Sequence, residues 1–267
     1  MSIRQSVVLP MFKSEDAADL GAFLDEIKTI GFSAVEIWNR GPSFETIVEL
    51  ARSRDLRIAS MVGHEHASPT AGTHAEGFSR RRNHDRLEAE LRESIDLAVR
   101  HDIPGLITLS GHRNPDESDE ETRRVCAEGL RRILLYAEEK GVNLNMELLN
   151  TKVDHPHYVC DRTDWALALC EQLGSPRCKI LYDIYHMQIM EGDVVRTIRR
   201  AASHIGHVHT AGVPGRHDLD DDQELNYQGI CRAIQATGYN LYVGHEFRPK
   251  SDPLAALRQA YEMCHVA

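Results

Sequence analysis

Four short, largely apolar segments in the second half of the chain each end in an acid or an imidazole. The residues at these ends are Glu147, Asp183, His209 and Glu246. An apolar segment that stops at such a group is typical of a buried strand whose carboxyl end carries a site. Three carboxylates and one imidazole suit a divalent cation such as Mn²⁺, Mg²⁺ or Co²⁺, and the lack of a thiolate makes Zn²⁺ a weaker candidate. We therefore predict a divalent-metal site.

A cation held by these groups indicates proton transfer at a carbon next to a carbonyl. The positive charge would stabilise the enediolate that forms when a C–H proton leaves. A neighbouring carboxylate would take that proton and return it elsewhere. Glu147 and Glu246 lie on strands separated by two others, so they could reach a substrate from different sides. We predict that these two residues form the acid/base pair.

Several polar residues close to other predicted strand ends are candidates for substrate contact. Glu36 is a charge inside an apolar segment, which makes it either a pocket group or half of a buried pair. The further histidines at 155, 157 and 207 are interpreted as polar pocket or loop residues rather than as additional ligands. The predicted substrate-binding residues are His186, Arg216, His64, His66 and Glu36.

Strand and helix signals alternate along the whole chain. They include an amphipathic segment over 15–30, for which Ser14 could be the N-cap, and a long helix over 118–140. Eight strand–helix units predict an α/β fold, a closed parallel (β/α)8 barrel. The alternative is an open doubly wound sheet, but no Gly-rich phosphate-binding turn follows the first strand. The predicted strands are 6–9, 34–38, 57–62, 105–109, 143–147, 179–182, 205–209 and 241–243.

Composition limits the classes of protein that the chain could belong to. Its 267 residues, 42% hydrophobic, fit one barrel domain over residues 1–267. There is no signal-peptide pattern and no apolar stretch near the ~20 residues that span a bilayer, so we predict a cytoplasmic protein that binds no membrane. The net charge of −10 disfavours nucleic acid as a partner. The six cysteines are scattered and are predicted to be buried free thiols.

Motifs from residue 146 onward resemble those of the hydroxypyruvate isomerase family, within the xylose-isomerase-like TIM barrel superfamily. That resemblance implies metal binding by the four strand-end residues, proton transfer by the two glutamates, substrate contact by His186 and Arg216, and a homo-oligomer. At the position of His209 the chain resembles the ketose 3-epimerases, which carry His, whereas hydroxypyruvate isomerases often carry Gln there. The motifs include Met146-Glu-Leu-Leu-Asn-Thr151, Leu181-Tyr-Asp-Ile-Tyr-His186, Ile205-Gly-His-Val-His209, Pro214-Gly-Arg216 and Gly244-His-Glu246.

Together these patterns predict a metal-dependent isomerase or epimerase of a small hydroxy-carbonyl compound, from hydroxypyruvate to a keto-sugar. A lyase or deglycosidase that uses the same proton abstraction on an oxidised sugar remains an alternative. An amidohydrolase would need a His-x-His pair on the first strand, where this chain has Val7, Val8 and Leu9. A DNA-repair endonuclease of the same superfamily would need a basic groove, and a non-catalytic sugar sensor would not need four ligands.

Overall fold

The structure is a computed structural model that describes residues 3–14, 17–38 and 40–266. Eight parallel strands pair in chain order, and the last returns to the first, which closes the barrel. This confirms the predicted α/β barrel. The strands are β1 (Arg4–Val8), β2 (Ala34–Ile37), β3 (Arg57–Val62), β4 (Gly105–Thr108), β5 (Asn143–Glu147), β6 (Cys178–Asp183), β7 (Ile205–Thr210) and β8 (Tyr242–His245).

Helices follow the strands. Their apolar residues recur at helical spacing, as in the first helix, where Leu20, Phe23, Leu24 and Ile27 are buried. Within the described residues, no helix is long and apolar enough to cross a membrane. The helices are α1 (Leu20–Ile30), α2 (Phe44–Arg52), α3 (His84–Arg100), α4 (Asp119–Lys140), α5 (Thr163–Leu173), α6 (Ile184–Met190), α7 (Val194–Ala201), α8 (Tyr227–Ala236) and α9 (Pro253–Cys264).

The structure differs from the predicted elements in two places. Each strand end lies within two residues of its predicted position. Helix α1 begins at Leu20, whereas the prediction began at Glu15, which with Asp16 lies outside the described residues. Helix α6 was not predicted; it starts directly after β6, where the Asp183 carboxylate accepts a hydrogen bond from the His186 amide.

Three loops at the carboxyl end of the barrel are connected by backbone hydrogen bonds. The loop after β3 meets the loop after β4 through Ser79 N to Ser110 O, at 2.7 Å, and His112 N to Ala75 O, at 3.2 Å. Gly77 lies at this contact, where a Cβ would come within 2.4 Å of the Leu109 oxygen, so only glycine allows the approach. The loop after β5 joins through Arg113 N to His157 O, at 2.7 Å. These bonds fix one wall of the barrel mouth.

The interior is apolar and contains the thiols. All six cysteines are free and buried, which confirms the interpretation of their scattered spacing. Burial raises the pKa of the Cys126 and Cys160 thiols, so these groups are held as neutral thiols. They pack as small apolar groups, and none of the six belongs to a cluster of possible metal ligands among the residues the structure describes.

Candidate active site

The four strand-end residues meet at the carboxyl end of the barrel. Glu147 and Asp183 are the last residues of β5 and β6, His209 lies in β7, and Glu246 directly follows β8. One ligand atom from each lies within 4.8 Å of those of the other three, and all four residues are buried. The convergence follows from the topology, because parallel strands of a closed barrel end at the same rim.

The His209 ring is oriented by a carboxylate beneath it. His209 Nε2 lies 3.0 Å from Glu36 Oε2, and His207 Nε2 lies 2.9 Å from the same oxygen. Burial would raise the pKa of Glu36, but the two imidazoles hold it well below its usual range. The carboxylate therefore accepts an N–H from each ring, and Nδ1 of His209 faces the four-residue cluster.

That nitrogen is the best indication that the cluster suits a metal. His209 Nδ1 lies 3.1 Å from Glu246 Oε2 and 3.9 Å from Glu147 Oε1. It is buried, yet it forms no hydrogen bond of acceptable geometry within the described residues. Burial opposes a charge on this ring, but Glu246 and Glu36 raise the pKa of His209 well above its usual value, so Nδ1 carries a proton when no cation is bound. A divalent cation would displace that proton, bind Nδ1 and offset three closely spaced carboxylates, so the donor set fits the metal that the sequence predicts.

The pKa values of the three carboxyl groups in the cluster are strongly shifted. Burial, followed by the proximity of Glu246, raises the pKa of Glu147 to about 8. Burial also raises the pKa of Asp183 to about 6, although Arg216 opposes this shift. Burial acts in the same direction on Glu246, but Arg216 and His209 outweigh it and lower the pKa of that carboxyl to about 2. Without a cation, the site therefore holds a proton that a metal would displace.

We expect the metal-free protein to lose stability as pH rises. Glu147 has a folded-state pKa of about 8 against an ordinary value of 4.5, so the folded state binds more protons across that interval. Its contribution is fully present below pH 4.5 and is lost as pH passes through about 8. The melting temperature measured in chelator should fall over this range, and adding Mn²⁺ should restore most of the loss at the alkaline end. A chelated protein whose melting temperature rises with pH would contradict this expectation.

His186 presents an unpaired N–H group beside the cluster. Its Nδ1 accepts a hydrogen bond from the Asn150 amide at 3.1 Å. Its Nε2 is buried without a hydrogen-bond partner among the described residues, 3.8 Å from Asp183 Oδ2. Burial lowers the pKa of His186 well below its usual value, so the ring is neutral and its proton is on Nε2. That N–H can donate to a ligand oxygen.

Arg216 extends over the cluster from the loop after β7. One terminal nitrogen lies 2.5 Å from Glu246 Oε2 and 4.0 Å from Asp183 Oδ2. The guanidinium carbon lies 5.7 Å from the Tyr185 ring centroid. Its Nε is buried and unpartnered within the described chain. The side chain therefore brings one positive charge to the carboxylates and keeps an N–H group for another acceptor.

A cavity of about 650 Å³ opens above these residues. Its inner end includes Glu147, Glu246 and Arg216. Its sides are partly apolar and partly formed by imidazoles. They include His66, a predicted substrate-binding residue, and several residues that were not predicted to bind substrate, namely Trp38, His74, Ile107, Leu149 and His155.

Three predicted substrate-binding residues, His186, His64 and Glu36, are not on the cavity wall. His186 is buried beside the cluster, and the other two have partners elsewhere. His64 is buried with both ring nitrogens occupied: Nε2 accepts from the Leu109 amide at 3.0 Å, and Nδ1 lies 2.9 Å from the Glu65 oxygen. Glu36 is only 1% exposed, and its oxygens accept hydrogen bonds from Ser6, His207 and His209. The contacts of Glu36 therefore match the buried-pair alternative, and neither His64 nor Glu36 is free to bind a substrate.

Comparison with known proteins identifies the family. The family described as xylose isomerase-like TIM barrel matches residues 24–265. The hydroxypyruvate isomerase of Escherichia coli is 31% identical over 64% of this chain and 67% of its own length. The 2-oxo-tetronate isomerase of Cupriavidus necator is 34% identical over 64% of this chain and 66% of its own length.

The similarity to one solved structure is evidence for the fold only. A protein from Brucella melitensis described as AP endonuclease, family 2, superposes with a TM-score of 0.81 at 24% identity, over 96% of each chain. Together with the matched family and the isomerase relatives, the barrel and its strand-end cluster lead to one assignment. The chain belongs to the hydroxypyruvate isomerase family of xylose isomerase-like TIM barrels.

Proposed function

We propose that this protein is a divalent-metal-dependent isomerase or epimerase of small hydroxy-carbonyl compounds, in the range from hydroxypyruvate to keto-sugars. The observation that carries the proposal is the convergence of Glu147, Asp183, His209 and Glu246 within 4.8 Å, with the two glutamates lining a cavity. The names of the two relatives, hydroxypyruvate isomerase and 2-oxo-tetronate isomerase, support the same reaction class.

The four residues would hold Mn²⁺, Mg²⁺ or Co²⁺, with Zn²⁺ less favoured because no thiolate is present. When bound, such a cation supplies the positive charge that lowers the free energy of an enediolate. The protein contributes the geometry: Glu36 holds the His209 ring through Nε2, and the Asp183 carboxylate is held by the His186 amide at 3.0 Å.

Glu147 and Glu246 are the proposed acid/base pair. Both line the cavity, and they come from the first and last strands of the four-residue cluster, Glu147 at the end of β5 and Glu246 directly after β8. One carboxylate takes the proton from the hydroxyl-bearing carbon beside the carbonyl, and the protonated acid returns it to the former carbonyl carbon. The hydroxyl proton of the first carbon passes to the former carbonyl oxygen, so the carbonyl and the hydroxyl group exchange places. Re-protonation of the original carbon from the opposite face would give an epimer instead. The position of the substrate between the two carboxylates decides the product.

His186 and Arg216 are proposed to orient the substrate. The unpaired His186 Nε2–H donates to a hydroxyl or carbonyl oxygen, and its neutral state prevents it from competing for the proton in transit. Arg216 Nε can donate to a second oxygen from the other side of the cluster. Because both groups are buried and unpaired, a bound substrate regains the hydrogen bonds that they lack.

Solvent deuterium exchange tests the proposal. The purified protein, loaded with Mn²⁺ or Mg²⁺, is incubated in D₂O with hydroxypyruvate and with a panel of ketoses, and NMR follows the products. We expect deuterium to enter the carbon beside the carbonyl, with formation of an aldehyde isomer or an epimer. Loss of a leaving group would instead identify a lyase. No exchange into any compound by the metal-loaded protein would contradict the proposed function.

A further inference from the structure

Four histidine rings form a continuous row from the strand-end cluster to the outer loops. His186, beside Asp183, lies 5.4 Å from the His155 ring, centroid to centroid. His155 lies 4.5 Å from His74, and His74 lies 4.9 Å from His66. His66, His74 and His155 all line the cavity, so the row forms one of its walls. The loops that carry these outer three rings are those after β3 and β5.

The outer rings have hydrogen-bonding capacity that the protein does not use. Nδ1 of His66 and Nδ1 of His74 are buried without a hydrogen-bond partner in the described part of the chain. Burial lowers the pKa of His66 and His155, and it lowers that of His74 to about 3, so the rings are neutral near pH 7. A neutral imidazole offers one donor and one acceptor, which matches a hydroxyl group better than an anion.

Part of the remaining cavity wall is apolar. Trp38, Ile107 and Leu149 supply walls against which the C–H groups of a sugar chain can pack. The volume of about 650 Å³ lies within the range of about 300–1,000 Å³ that is usual for pockets that enclose drug-sized ligands. A compound the size of hydroxypyruvate would occupy only the inner end and would leave His66, His74 and His155 without a ligand.

We propose that His66, His74 and His155 form a specificity subsite that binds the hydroxyl groups of a substrate chain beyond its reacting carbons. This inference rests on the proposed function and narrows it: the preferred substrates are polyhydroxylated keto compounds of five or six carbons rather than hydroxypyruvate. The reacting carbonyl lies at Glu147 and Glu246, and the hydroxyl-bearing tail extends along the row toward His66. His74, at the centre, contacts both neighbouring rings.

The test compares substrates of increasing length in the wild type and in His74→Phe, which keeps an aromatic ring but removes both nitrogens. We expect the kcat/KM of the wild type to rise from hydroxypyruvate to a pentulose or hexulose. In the variant, the ratio of long-chain to short-chain kcat/KM should fall about tenfold, mainly through KM, which corresponds to one hydrogen bond of ~1.4 kcal/mol. His265→Phe is the matched control, because His265 is exposed and stacks on Tyr261 away from the cavity.

A binding experiment separates this proposal from the proposed function. Calorimetry with non-reactive polyols should give tighter binding of a pentitol than of glycerol, and His74→Phe should abolish that difference whether or not the protein turns over any substrate. If His74→Phe lost affinity equally for short and long compounds, the proposed subsite would be overturned, because that result indicates a purely structural role for His74. A wild-type preference for hydroxypyruvate, or for a phosphorylated chain over its free hydroxyl form, would also overturn it.

Discussion

Glu147→Gln and Glu246→Gln should each lose isomerisation by about a thousandfold, within the range of about 10²–10⁴ for a positioned acid or base. Glutamine keeps the size of the side chain and one oxygen toward the cluster, but it cannot carry the transferred proton. Both side chains are buried, less than 10% exposed, so water cannot readily replace the missing carboxylate. The measurement is the rate of interconversion, followed by NMR at saturating cation.

Both glutamates are also proposed ligands, so the control must separate weak metal binding from loss of proton transfer. Asp183→Asn serves this purpose, because Asp183 belongs to the same cluster but is not assigned to proton transfer. Asparagine can still accept the His186 amide and cap α6. We expect a higher cation concentration to rescue Asp183→Asn but not the two glutamine variants. Full activity of Glu147→Gln or Glu246→Gln at saturating cation would contradict the assigned roles.

The barrel could be predicted because its strands are short and largely apolar and alternate with amphipathic helices. The same logic predicted which residues meet. Once the strands are parallel and close on themselves, Glu147 and Asp183 must reach the same rim, and the register pairs Asp183 with His209. Nothing in this inference requires knowledge of side-chain packing.

Helix α6 was missed because its pattern is not amphipathic. Ile184, Tyr185, His186 and Met187 are all buried, so they show no alternation between an apolar and a polar face. The available signal was Asp183, a favourable N-cap residue at the end of β6. Because α6 starts there, His186 turns back toward Asp183 and its Nε2 comes within 3.8 Å of that carboxylate.

The roles of His64 and Glu36 depend on partners far away in the sequence. The Leu109 amide that donates to His64 is 45 residues away, and His207, which contacts Glu36, is 171 residues away. Sequence patterns describe local periodicity and cannot show such pairs. The same limit applies to His74, which lies in a polar loop and reaches the cavity only because that loop bonds to its neighbours.

Glu36→Leu should weaken divalent-cation binding by about 10–100-fold, the usual effect of removing a carboxylate that orients a metal-binding histidine. The loss would free the His209 ring to change tautomer, so that Nδ1 would no longer present a lone pair to the cluster. Glu36 fits here only because residue 244 is glycine: a Cβ at Gly244 would lie 2.1 Å from Glu36 Oε1. Calorimetric titration of the metal-free protein with Mn²⁺ measures the change.

Two further variants separate orientation of His209 from general damage to the buried cluster. In Glu36→Gln, the amide oxygen can still accept from the imidazoles while the amide nitrogen donates to Ser6 Oγ, so affinity should stay close to that of the wild type. His207→Phe removes the other imidazole but leaves the Glu36–His209 contact, and it too should keep the affinity. If His207→Phe weakened Mn²⁺ binding as much as Glu36→Leu, disruption of the core would explain both results. If Glu36→Leu bound Mn²⁺ normally, the orientation of His209 would not depend on Glu36, and the ring would be held by its strand alone.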